Sequence, residues 1–244
     1  MRQFGLIGYP LSHSFSKEYF AEKFQRDDIT DCNYEVFPLE KIQDFVGLCE
    51  QHKNLVGLNV TIPYKERIIP FLEELNDEAA AIGAVNTISF AGGKKIGFNT
   101  DCYGFEMSLE PLLKSYHTSA LILGTGGASK AVEYVLKKLG ISFQYVSRHE
   151  SANAIRYDAL DERIILHSTL IINTTPLGMY PNIENSPDIP YGFITDKHLL
   201  YDLIYNPEET QFLKEGKKRG AQTKNGLEML YLQAEKSWKI WNGR

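Results

Sequence analysis

The chain has 244 residues, 43% of them hydrophobic and 23% charged, with a formal net charge of −5. That profile excludes a disordered chain and leaves room for one large or two modest domains. With no apolar run of membrane-spanning length, no basic-then-apolar signal-peptide start and no basic block, neither a membrane nor nucleic acid is the expected partner.

In chain order, residues 4–8 read as a first strand. It enters Gly8-Tyr9-Pro10-Leu11-Ser12-His13-Ser14-Phe15-Ser16, a hydroxyl-rich turn ahead of a helix at 16–25 with Ser16 as its expected N-cap. Hydroxyls beside helix-start amides make a seat for a small carboxylate, although one capping serine is the simpler account of the turn taken alone. A strand at 34–37, a helix at 39–52 and a strand at 55–62 follow. In that third strand Asn59 and Thr61 alternate with Val60 and Ile62, so the two polar side chains share a face. Pro63 cannot donate to the ladder and ends the strand. Lys65 then stands at its carboxyl end, where open α/β sheets place ligands; a lysine held there can donate a proton in carbonyl chemistry. Helices are expected at 65–74 and 77–82, and strands at 85–90 and 95–98 flank Ala91-Gly92-Gly93 as a hairpin. Asn86, at the entry to the first of those strands, is uninformative alone. Asp101 is either a partner that positions Lys65 or the N-cap of a helix at 102–114. The three cysteines, Cys32, Cys49 and Cys102, are scattered without CxxC spacing and read as reduced thiols of a cytoplasmic protein.

The alternation then restarts, so two α/β units meet near residue 100. A strand at 120–123 leads into Gly124-Thr125-Gly126-Gly127-Ala128-Ser129 and a helix at 128–139, whose Ala128, Ala131, Val132, Val135, Leu136 and Leu139 recur at helical spacing. Strand, glycine turn and helix start in that order mark a dinucleotide site, with helix-start amides facing the pyrophosphate. Ser129 stands in place of the third glycine of the usual fingerprint. The next strand, 143–146, runs into Ser147-Arg148-His149. NAD sites have an acid there for the ribose 2′-hydroxyl, whereas a guanidinium suits a 2′-phosphate, so NADP is preferred, with Glu150 close by. Strands at 170–173, 199–203 and 222–224 and helices at 208–219 and 226–241 complete the pattern. Thr174 follows the first of these strands in a polar loop beside the nucleotide site. Gly226, Met229 and Gln233 share one face of the last helix, Gln233 being the polar side chain on that face that could enter a cleft.

In order, GYPLSHSFS, NVTIPYKE, GAVNT, GFNTD, GTGGASKA, SR, NTTPLGMYP, YDLIYNP and NGLEMLYLQA run over essentially the whole chain. In these motifs the chain resembles the shikimate dehydrogenase family, enzymes that reduce 3-dehydroshikimate to shikimate with NADPH in aromatic amino-acid biosynthesis. The resemblance implies an α/β fold of two domains: a substrate domain with a mixed sheet, residues 1–100 joined by the last helix at 226–244, and a Rossmann-like NADP domain at 101–225, with the active-site cleft between them. It implies that Ser14 and Ser16 bind the substrate carboxylate, that Asn59, Thr61, Asn86 and Gln233 bind ring hydroxyls, and that Tyr205 lines the pocket. Lys65 and Asp101 become the catalytic pair. Gly124, Thr125, Gly126, Gly127, Ala128, Ser129, Ser147, Arg148 and His149 take the phosphates and adenosine, and Thr174, Leu203, Gly226 and Met229 lie near the nicotinamide. No metal is implied, and a monomer or homodimer is expected. The alternatives are a quinate/shikimate dehydrogenase that also uses NAD and a non-catalytic NADP-binding regulator; retention of Lys65 and Asp101 speaks against the latter.

Overall fold

Apolar runs that are continuous rather than alternating mark strands buried on both faces, and residues 55–60, in the middle of the first sheet, are of this kind. The computed structural model describes residues 1–11, 14–149 and 151–243; Ser12, His13 and Glu150 of the motifs above lie outside the described residues. The chain divides into two units, Met1–Thr100 with Gln233–Arg244, and Asp101–Leu232.

The first unit contains β1 (Arg2–Gly8), α1 (Phe15–Arg26), β2 (Cys32–Pro38), α2 (Asp44–Gln51), β3 (Leu55–Val60), β4 (Glu74–Leu75), α3 (Asp77–Ile82), β5 (Thr87–Ala91) and β6 (Lys94–Phe98). They form a mixed sheet in the order β2-β1-β3-β5-β6-β4. β1 pairs parallel with β2 and β3, while the β5–β6 hairpin joins β3 antiparallel. Successive residues of β1 face opposite layers. Phe4 and Leu6 pack with Phe20, Tyr34 and Trp241, and Ile7 packs with Phe45, Leu58, Ile68 and Ile88.

The second unit contains α4 (Asp101–Leu109), β7 (Ser119–Leu123), α5 (Gly127–Lys138), β8 (Ser142–Ser147), β9 (Ala154–Arg156), α6 (Glu162–His167), β10 (Leu170–Asn173), β11 (Leu199–Asp202), α7 (Gln211–Lys217) and β12 (Gln222–Lys224). Helix α8 (Leu227–Trp241) begins in this unit and ends in the first. The sheet is parallel throughout, in the order β12-β11-β10-β7-β8-β9. Numbered within the unit this is 3-2-1-4-5-6, the doubly wound arrangement, and its direction reverses between β7 and β10. The α/β class, with one mixed and one parallel sheet, is as the sequence predicts. Among the described residues no helix is long and apolar enough to cross a membrane.

Several expected helices are shorter than their patterns. The segment expected as a helix at 65–74 holds one 3₁₀ turn, Ile69–Phe71, with a proline inside it, and then Glu74 and Leu75 pair with β6. The helix expected at 39–52 starts only at Asp44, because Leu39 stays extended and donates its amide to Gly8 O at 3.0 Å. Pro111 converts the end of the helix expected at 102–114 into a 3₁₀ turn, Glu110–Leu112. Ser14, not Ser16, caps α1: its side chain accepts from the Lys17 amide. The three-residue strand β9 and the single-cap helix α6 went unpredicted, being too short for periodicity to register.

Helix α8 is anchored to the first sheet by Trp241, which is 6% exposed and donates Nε1–H to Ile88 O at 2.9 Å. Its indole centroid lies 5.0 Å from Phe4 and 5.5 Å from Phe20. Trp241→Ala removes that packing and is expected to lower stability by about 3–5 kcal/mol in chemical denaturation. A loss below about 1 kcal/mol would mean that the helix holds without its tryptophan.

Candidate functional site

The sequence-predicted polar residues of the first unit gather where the ladders of β3 and β5 stop. Asn59, near the end of β3, and Asn86, just before β5, are 5% and 3% exposed. Asn59 Nδ2 donates to the Asn86 carbonyl at 3.3 Å. Gln233, on α8, joins them through Thr100, whose Oγ1 donates to Gln233 Oε1 at 3.4 Å and accepts from Asn86 Nδ2 at 3.0 Å. Thr61 lies just past β3 and continues its pairing, donating N–H to Ile7 O at 2.9 Å. Ser14 stands at the N-cap of α1, and Ser16 lies in its first turn.

Lys65 is half-buried, in a turn rather than a helix. Its backbone is clamped on both sides. The Val85 amide donates to Lys65 O at 2.7 Å, and the neighbouring Tyr64, 3% exposed, donates its hydroxyl to Leu39 O at 2.6 Å. A long side chain on a fixed backbone loses less freedom when it engages a ligand.

In the second unit, Asp101 is the first residue of α4 and is 7% exposed. The glycine turn follows β7. Gly124 has φ +101°, and a Cβ there would meet Thr174 Oγ1 at 2.9 Å, so both conformation and space require glycine. Gly126 caps α5 without a side-chain bond, and a Cβ on it would meet nothing within 4 Å. Thr125 and Gly126 are exposed, so the turn presents uncapped backbone at the topological switch point. Ser129 is 1% exposed and donates its hydroxyl to Gly126 O at 2.6 Å, which closes the turn from inside. At the end of β8 Ser147 accepts from the His149 amide, while Arg148 and His149 are exposed. This donor set fits a dinucleotide: uncapped helix-start amides, and a guanidinium with no carboxylate at Ser147, Arg148 or His149.

Thr174 ties the β10 loop to β7, its hydroxyl and amide both donating to Leu123 O, at 2.7 and 2.9 Å. The Leu203 amide donates to Asn173 O at 3.0 Å, and Gly226 packs so closely on the Leu203 carbonyl that a Cβ would collide with it. Met229 is buried and Tyr205 exposed. One residue that sequence reasoning missed organises these loops. Asp202, wholly buried at the end of β11, accepts from Asn173 Nδ2 at 3.0 Å, the Ile204 amide at 3.1 Å and Thr210 Oγ1 at 2.6 Å. Burial pushes its carboxyl up to about 7, against the three hydrogen bonds that favour the charge. In the first unit Tyr34, Thr87, Thr100 and Ser237 were missed likewise. Thr87 and Thr100 each follow an asparagine in GAVNT and GFNTD, and Ser237 lies one helical turn beyond Gln233, signals that were available.

Residues 6–88 match a family model described as the shikimate dehydrogenase substrate binding domain. The chain is 37% identical over 261 residues to the NADP(+) shikimate dehydrogenase of Desulforamulus reducens, covering 98% of this chain and 89% of that one. The structure of shikimate dehydrogenase 1 from Peptoclostridium difficile is 39% identical, with TM-score 0.87, covering 100% of this chain and 92% of its own. That of shikimate 5-dehydrogenase from Thermus thermophilus, in complex with NADP(H) and shikimate, is 28% identical with TM-score 0.87, covering 100% and 94%.

The raised carboxyl of Asp202 makes a stability prediction. Its folded-state value lies above the ordinary 3.8, so its contribution to stability is full below about pH 4 and is lost as pH rises through about 7. Asp202→Asn keeps two acceptor bonds, can donate to Thr210 and has no charge to bury. Relative to wild type, the variant should gain stability progressively from pH 4 to 7, by roughly 3–5 kcal/mol in all. A pH-independent difference in denaturant midpoints would show that Asp202 stays ionised throughout.

Proposed function

Since the chain belongs to the shikimate dehydrogenase family, we propose that it catalyses the reversible reduction of 3-dehydroshikimate to shikimate with NADPH. The observation that carries this is a division of labour in the donor groups. The first unit gathers hydroxyls and amides suited to a polyhydroxylated ring acid. The second offers an uncapped glycine turn followed, at the end of β8, by Ser147-Arg148.

In this reading Ser14 and Ser16 hold the substrate carboxylate, and Asn59, Thr61, Asn86 and Gln233 serve its ring hydroxyls, with Tyr205 lining the pocket. Residues 1–100 with 226–244 form the substrate domain, and 101–225 the nucleotide domain. NADPH, when bound, supplies the hydride that reduces the C3 carbonyl. Lys65, as ammonium, gives a proton to the carbonyl oxygen as it gains charge; as neutral amine it takes the proton back in the reverse direction. Asp101 is assigned to orient Lys65 and the adjacent ring hydroxyl. Gly124, Thr125, Gly126, Gly127, Ala128 and Ser129 form the phosphate cradle, Ser147, Arg148 and His149 the adenosine-phosphate end, and Thr174, Leu203, Gly226 and Met229 the nicotinamide end. Three free cysteines suit a cytoplasmic location, and we place the enzyme there as a monomer or homodimer.

The direct test follows NADP+ reduction spectrophotometrically with shikimate, repeated with NAD+ and with quinate. Comparable turnover on NAD+ or quinate would favour the broader quinate/shikimate enzyme, and no turnover with any pair would favour a regulator. Lys65→Ala is expected to lower kcat by about 10²–10⁴-fold with substrate binding partly retained; near wild-type turnover would remove lysine from the mechanism. Ser14→Ala and Ser16→Ala should chiefly raise the KM for shikimate, because they hold a remote group. Arg148→Ala should weaken NADP+ about ten- to a hundredfold and NAD+ much less. Equal losses for both cofactors would assign Arg148 to adenine stacking alone.

A further inference from the structure

Among the described residues of the first unit, the hydroxyls of Thr87 at the start of β5, Thr100 just before α4 and Ser237 on α8 are wholly buried. A fourth, that of Tyr34 on β2, belongs to a side chain 5% exposed. A sheet needs none of them for packing. We infer that Tyr34, Thr87, Thr100 and Ser237 are positioning residues, a buried hydrogen-bond relay that aligns Asn59, Asn86 and Gln233 as one body for the substrate. This deepens the reading above and rests on it.

The relay is continuous. The Tyr34 hydroxyl donates to Asn59 Oδ1 at 2.8 Å. With its oxygen so engaged, Asn59 turns Nδ2 inward, donating to Thr87 Oγ1 at 3.2 Å and Ser237 Oγ at 3.1 Å. Those two hydroxyls are 2.8 Å apart, and Ser237 also donates to Gln233 O at 2.9 Å. Thr100 Oγ1 lies 3.2 Å from Ser237 and 3.3 Å from Thr87. Four separate stretches of chain are thus bound through side chains alone: β2, β3, the segment from Asn86 through Thr100, and α8. Among the described residues no buried side-chain nitrogen or oxygen lacks a partner, so the network is satisfied and its members hold one another in place.

Donor polarity follows from one bond that cannot be reversed. The Thr100 backbone N–H can only donate, and it points at an Asn86 side-chain atom at 2.6 Å, which must therefore be Oδ1. The Asn86 NH₂ then faces the other way and gives one hydrogen to Thr100 Oγ1. The same Thr100 Oγ1 lies 3.4 Å from Gln233 Oε1. The orientation of the Asn86 amide is thus set by the Thr100 backbone, and Gln233 is tied to it through the Thr100 hydroxyl. Misplacing either amide by a fraction of an ångström weakens every contact it makes at once.

The test is a steady-state comparison of wild type with Tyr34→Phe, Thr87→Val and Thr87→Ser, at a temperature well below every midpoint of unfolding. Shikimate and NADP+ are varied separately. Tyr34→Phe and Thr87→Val should raise the KM for shikimate about three- to thirtyfold and leave the KM for NADP+ within twofold, and Thr87→Ser, which keeps the hydroxyl, should restore most of the loss. Tyr34→Phe removes one oxygen from a buried ring and is the variant to rely on should Thr87→Val not fold. The inference is overturned if Tyr34→Phe lowers the unfolding midpoint with shikimate KM unchanged, or if both KM values rise together. Wild type failing to oxidise shikimate with NADP+ would instead overturn the functional reading, so the two failures are distinguished.

Discussion

Where a strand leaves its sheet, its backbone and the polar side chains beside it lose the ladder that paired them, and once buried they must find new partners. That requirement shapes the carboxyl ends of the central strands in both units. In the first, Asn59 at the end of β3 is answered by Tyr34, Thr87 and Ser237. In the second, Asn173 at the end of β10 is answered by Asp202 at the end of β11, which also receives Thr210 and the Ile204 amide. An unsatisfied buried polar group costs about 1–3 kcal/mol, a large share of the 5–15 kcal/mol that holds a domain together. Each loop therefore has few arrangements open to it.

The same requirement places chemistry there. Groups that satisfy one another on their inner side are held rigidly, and their outer atoms are preorganised for a ligand at no further ordering cost. Asn86 shows this most directly, because a backbone amide sets its orientation. In the nucleotide unit the pattern is different. There the glycine turn leaves the first amides of α5 uncapped, and the inner work is done by Ser129, Thr174 and the Asn173–Asp202 pair. One unit presents side-chain donors in a polar nest, the other bare backbone at a helix start, the kind of end that favours anions.

Much of this was legible beforehand. Gly124-Thr125-Gly126-Gly127 between an apolar strand and an amphipathic helix read directly as a dinucleotide turn, because steric rules at glycine and helix periodicity are local properties. The strands at 170–173 and 222–224 and the helix at 77–82 were legible for the same reason. The stretch from Lys65 to Glu74 was not. Its helical composition yielded to Pro70 and to an edge strand, β6, that offered Glu74 and Leu75 a ladder. Ser16 looked like a cap by composition, yet the cap fell to Ser14 because the chain turns one residue earlier than the apolar pattern shows.

What the sequence alone determined is the list of parts: two α/β units, a glycine turn between an apolar strand and an amphipathic helix, an arginine just past the next strand, and a lysine beyond a polar strand end. These depend on spacing along the chain, which a sequence displays. Only the tertiary structure decided that Tyr34, Thr87, Thr100 and Ser237 stand beside Asn59, Asn86 and Gln233, and that Asp202 ties together the loops at the ends of β10 and β11. Their partners lie as far as 178 positions away, as Asn59 and Ser237 do. A buried serine or threonine reads like any other until the fold brings an acceptor to it, since hydrogen bonding is a property of position in space and not of order in the chain.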